Sequence, residues 1–173
     1  MAASKKESPV TIPLQHPATY ISSCMANRFA IIRDDGFTIT CFGLLSRDGK
    51  LLDKFACILS ENTLENLKEN LVQYSDQVGE PKRRIPKWNP PIRDLSVVEH
   101  PFNLLTELPV ADFIHLCNWN DAYAEMCFWN YSQAKAADLM RTGNIGILVP
   151  WGVGLIRCSI DLQRAFLEQL YTE

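Results

Sequence analysis

The feature that most restricts how this chain can fold is a pattern that occurs twice: short strand-like runs followed by an amphipathic helix. In the first occurrence Phe29–Arg33 is followed by the turn signal Asp34-Asp35-Gly36. Phe37–Leu45 is rich in β-branched and aromatic residues, which suit a pleated, half-covered surface. Arg47-Asp48-Gly49-Lys50 carries the Asp-Gly pair of tight hairpins, and Phe55–Leu59 reads as the third strand. Ser60 then caps a helix whose Leu64, Leu67, Leu71, Tyr74 and Val78 form one apolar stripe, stopped by Gly79 and Pro81. The second occurrence runs through Phe113–Cys117, the turn Asn118–Ala122 and the alternating strand Tyr123–Trp129. A short helix Ser132–Arg141 follows, then strand-like Ile145–Val149 and Val153–Cys158 broken by Pro150 and Trp151. Ser159 or Asp161 caps a last helix carrying Leu162, Phe166, Leu167 and Leu170.

The two stretches align with gaps confined to loops. A shift of 86 places Phe37 on Tyr123, Cys41 on Cys127 and Phe42 on Phe128; a shift of 84 places Phe29 on Phe113. A shift of 99 places Ser60 on Ser159, Leu67 on Phe166 and Leu71 on Leu170. One such unit, at about 50 residues, buries too little surface to stand alone, so two must share a core. The expected fold is α+β: an antiparallel sheet built from two degenerate β-β-β-α repeats with the helices on one face. The expected organisation is an extended arm over 1–18, a first repeat over 19–79, a linker over 80–111, and a second repeat over 112–173 with an insertion at 130–152. The linker carries Pro81, Pro86, Pro90, Pro91, Pro101 and Pro109, which exclude regular structure over most of its length.

Composition sets the class. Hydrophobic residues make up 47% of the 173 and charged residues 21%, enough for a core and against general disorder. A net charge of −3 offers no general attraction for nucleic acid. The six cysteines include no Cys-x-x-Cys pair, the start lacks the apolar run of a signal peptide, and no stretch approaches the ~18–20 apolar residues of a membrane helix. These features point to a cytoplasmic protein with free thiols and no membrane association.

Candidate chemistry is sparse. His115 and Cys117 are two apart on a strand and share a face, and Cys127 falls across from Cys117 if the strands form a hairpin. As a metal site the trio lacks convergent ligands, so no metal is expected. As a thiol site, Cys117 or Cys127 would be the nucleophile and His115 the base, but the Cβ atoms of His115 and Cys117 stand ~7 Å apart by the strand rise, poorly placed for a direct hydrogen bond. Gly143-Asn144-Ile145-Gly146 and Gly152-Val153-Gly154 lack the context of a nucleotide loop, and no cofactor is expected. Lys82, Arg83, Arg84, Lys87 and Arg93, with Trp88 among them, form a polyanion-binding candidate. Trp119, Trp129 and Trp151, together with Trp88, are the candidates for contact with a partner polypeptide.

The run Phe29-x-x-x-Arg33, a turn, Phe37-x-x-x-Cys41-Phe42-Gly43, then Ile58-Leu59-Ser60 and the helix Glu61–Gly79 resembles small uncharacterised bacterial β-β-β-α domains. More distantly it is similar to the SecB-like chaperone fold. That resemblance implies oligomerisation and binding of partner polypeptides without a cofactor. The expected function is therefore a non-enzymatic protein-binding or assembly protein, chaperone-like in its sharper form. A nucleic-acid-associated accessory subunit using residues 82–93 is the alternative, and a thiol enzyme the third.

Overall fold

The computed structural model describes residues 23–34, 37–61, 63–65, 67, 80–90, 108–131, 143 and 151–172. The strands are β1 (Ser23–Met25), β2 (Arg28–Asp34), β3 (Phe37–Leu45), β4 (Leu51–Leu59), β5 (Val110–Ala111), β6 (Phe113–Asn118), β7 (Tyr123–Asn130) and β8 (Trp151–Ser159). The C-terminal helix spans Ile160–Thr172. The first helix is represented by residues 61, 63–65 and 67. The fold is α+β. The expected arm, Arg93, the rest of the first helix, the helix Ser132–Arg141 and the strand Ile145–Val149 lie outside the described residues.

The single antiparallel sheet expected from the strand pattern is replaced by two mixed sheets of four strands, ordered β2-β3-β4-β5 and β1-β8-β7-β6. Each contains an antiparallel meander, β2-β3-β4 or β6-β7-β8, and each is completed by one parallel strand. The completing strands are exchanged. β1, which leads into β2, pairs with β8 of the other sheet, while β5, which leads into β6, pairs with β4. At three and two residues, β1 and β5 are too short to carry a strand signature. They order through their partners: Ala26 N donates to Arg157 O at 2.9 Å and Ile58 N to Pro109 O at 2.9 Å.

The turns follow local chemistry. Gly49 adopts φ 82°, a left-handed conformation that a side chain would strain, and Ser46 Oγ accepts from Lys50 N at 3.0 Å across the β3–β4 hairpin. Ser60 Oγ accepts from Thr63 N at 3.2 Å, and Ser159 Oγ accepts from Leu162 N at 3.2 Å, so Ser159 caps the last helix. Asp161 instead accepts from Lys82 N at 2.8 Å.

The inner faces of both sheets meet in one aromatic core. Phe42 of β3 lies 5.7 Å from Phe128 of β7 between ring centroids, and 4.9 Å from Phe166 of the C-terminal helix. Phe29 meets Phe166 edge-on at 5.7 Å, and Phe55 meets Phe128 at 5.5 Å. The helix touches β2 of one sheet and β7 and β8 of the other, tying them together. The outer face of the β2-β3-β4 meander carries a second cluster in which Ala30, Ile39, Cys41 and Ala56 are covered by Leu108 and Trp88. The 80–111 segment is therefore a packed strap where it is described. Ile85 reaches the main core, Trp88 lies over Gly43, and Val110–Ala111 is a strand.

Candidate functional site

The outward face of the β1-β8-β7-β6 sheet gathers the polar and reactive side chains. Register sets them in rows. Cys117, Glu125, Arg157 and Met25 stand side by side across all four strands. The adjacent row holds His115, Cys127, Leu155 and Ser23. Beyond it Phe113 stacks edge-on against Tyr131 at 5.3 Å, and Trp129 packs with Cys127 and Leu155.

Cys117 is partly exposed, and its Sγ lies 3.9 Å from His115 Nδ1. Strand rise alone places these two too far apart for contact; the two side chains lean along the strand and close the gap. Hydrogen bonds from Cys127 and then from His115 bring the Cys117 thiol down to about 5, against the opposing effects of burial and of the Glu125 carboxylate. The same contact with Cys117 raises His115. Glu125 is engaged by Arg157, whose Nε donates to Oε1 at 3.0 Å, and Tyr123 Oη donates to the same oxygen at 3.4 Å. Four other thiols behave oppositely: burial pushes Cys24, Cys41, Cys57 and Cys158 up to about 12. The sequence put His115, Cys117 and Cys127 on one face, but the register sets Cys127 across from His115 and Glu125 across from Cys117. What it could not show was the side-chain lean that makes a sulfur–imidazole contact. Among the described residues, no three His, Cys, Asp or Glu side chains converge closely enough to hold a metal ion.

The four tryptophans have separate fates. Trp119 is 61% exposed on the β6–β7 turn. Asn120 Oδ1 fixes that turn by accepting from Ala122 N at 2.8 Å and Tyr123 N at 2.9 Å. Trp129 is 7% exposed and offers little contact area. Trp88 is half-buried against Gly43, its ring committed to packing. Trp151 pairs with Asn130 at the start of β8, and its side chain lies outside the described set. Met25, 48% exposed, is an apolar contact candidate that the sequence reading passed over because β1 was not seen.

Lys82, Arg83, Arg84 and Lys87 are exposed on the strap, which is anchored through Lys82 N, Ile85 and Trp88. A cleft of about 210 Å³ opens where Lys87, Trp88 and Asn89 pass Ile32 of the edge strand β2 and Gln169. No helix among the described residues is long and apolar enough to cross a membrane. No protein-family model, curated protein or solved structure matches this chain.

Proposed function

We propose that the chain is a fused pair of related β-β-β-α units acting as a non-enzymatic protein-binding or assembly protein, with no catalytic cofactor. The observation that carries this is the strand exchange, in which each meander takes its fourth strand from the lead-in of the other. Bonding detail supports common descent of the units. Asn27 N donates to Gly43 O at 3.0 Å, and Asp112 N donates to Trp129 O at 3.0 Å, the acceptors being 86 residues apart. Leu45 N donates to Asn27 Oδ1 at 2.9 Å, and Tyr131 N donates to Asp112 Oδ1 at 2.8 Å, again 86 apart at the donors. A two-fold partnership that separate subunits would form between them is thus made within one chain. What remains for a partner is the outer surface. Trp119, on a fixed turn, and Met25, the exposed end of the Cys117–Glu125–Arg157 row, supply apolar contact area there. The cleft beside β2 is smaller than the ~300–1,000 Å³ of small-molecule pockets, which favours a flat interface over a substrate site.

The reading predicts that a tagged protein from its native host retains a defined polypeptide partner, and that Trp119→Ser with Met25→Ser releases it without lowering the melting temperature. An undiminished partner on the double variant would contradict it. The chaperone form of the idea is tested by suppression of aggregation of an unfolded client at excess protein. The nucleic-acid alternative rests on the anchored strap: retention on a polyanion resin should fall when Lys82, Arg83, Arg84 and Lys87 are changed to Ala. Trp88, already packed on Gly43, adds nothing to that alternative as a stacking platform.

A further inference from the structure

We infer that Cys117 is a thiol modification site for hydroperoxides, with Cys127 as the resolving thiol and His115 as the proton source beside it. Three geometric facts carry this. Cys117 is reachable from solvent, at the edge strand β6. His115 Nδ1 lies 3.9 Å from its sulfur. Cys127, directly across from His115 and so the diagonal neighbour of Cys117 on the same face, is itself only 3% exposed. One thiol thus faces the oxidant and a second waits beneath it.

The charges around the sulfur suit the first step. Cys117 carries a thiolate near neutral pH, and Cys24, Cys41, Cys57 and Cys158 do not. Glu125, opposite Cys117, opposes that thiolate, but Arg157 pairs with it and Tyr123 donates to it. The Cys117 thiolate attacks one peroxide oxygen; the S–O bond forms as the O–O bond breaks, and the leaving oxyanion takes a proton from the His115 imidazolium. Cys117 is then a sulfenic acid. The Cys127 thiol loses its proton as its sulfur attacks the Cys117 sulfur; the S–S bond forms, the S–O bond breaks and water departs. Two thiols lose two electrons and two hydrogens, and the hydroperoxide is reduced to an alcohol, or to water if it is hydrogen peroxide. Diagonal neighbours on paired strands have Cα atoms ~7–8 Å apart, slightly beyond disulfide range, so closure draws β6 inward. Among the described residues β6 pairs with β7 alone, which leaves it able to make that movement.

The test is intact-mass spectrometry of the full chain after brief treatment with a few equivalents of hydrogen peroxide at pH 6.5, without and with a cyclic 1,3-dicarbonyl trap. The wild type should lose two hydrogens, with peptide mapping placing the bond between Cys117 and Cys127. Cys127→Ser should gain one oxygen on Cys117 without the trap, and with it one trap molecule bonded to the Cys117 sulfur in place of that oxygen, which leaves as water. Cys117→Ser should stay unmodified over the same interval. His115→Gln should keep its melting temperature but react about tenfold more slowly, as its thiolate fraction falls. Equal oxidation of wild type and Cys117→Ser would overturn the site. Accumulation of one or two oxygens on wild-type Cys117 without the bond would overturn the role of Cys127. A His115→Gln variant as fast as wild type would overturn that of His115.

Discussion

Phe55 and Gly154 illustrate what a single position decides. They stand 99 residues apart, at corresponding places in the third strands β4 and β8, and the Phe55 ring fills the space that a side chain on Gly154 would need. Gly154→Ala should therefore cost about 1–3 kcal/mol by overpacking, measured by urea unfolding, and Phe55→Leu should relieve most of that cost. Gly43 makes the same demand of the strap, because a Cβ there would fall 2.6 Å from Trp88 Cη2. Gly43→Ala is expected to destabilise by a similar amount, with Trp88→Leu compensating. Neither approach was readable from sequence. The ring that meets Gly154 comes from residue 55, in the other sheet. Cys117 is a parallel case. Its neighbours were guessed from hairpin pairing, whereas its distance from His115 depended on how two side chains lean.

Elements explain why the strand pattern was legible and its assembly was not. β2, β3, β4, β6 and β7 have enough β-branched, aromatic or alternating residues to declare themselves, and Gly49 and Asn120 mark their turns. β1 and β5 have too few residues to show a period, and Pro109 beside β5 made that region look irregular. Yet these two strands turn one expected antiparallel sheet into two mixed sheets. Their entry into β2 and β6 is bracketed by Asn27 and Asp112. Asn27 Nδ2 also donates to Leu45 O at 2.7 Å. Asn27→Ala and Asp112→Ala should each cost about 1–3 kcal/mol of unfolding free energy, through backbone groups left without their partners. If the brackets are equivalent the two losses will agree; a cost at one site and none at the other would separate the two units.

At the scale of the whole molecule, one core serves both sheets. Phe42, Phe128 and Phe166 belong to β3, β7 and the C-terminal helix and touch one another or a common neighbour. Phe42→Ala and Phe128→Ala should each cost about 3–5 kcal/mol, and unfolding should stay a single transition by circular dichroism and fluorescence, because neither sheet keeps a core without the other. The proposed pairing of units also places the row of Cys117, Glu125, Arg157 and Met25 on the outer face of its sheet, outside the shared interior. The most direct measurement is fragment complementation between residues 1–100 and 101–173, followed by circular dichroism and analytical ultracentrifugation. Mutual completion predicts that neither fragment is a folded monomer alone and that mixing restores a folded one-to-one complex. A fragment that folds cooperatively as a monomer, or a mixture that yields no stoichiometric folded complex, would contradict it.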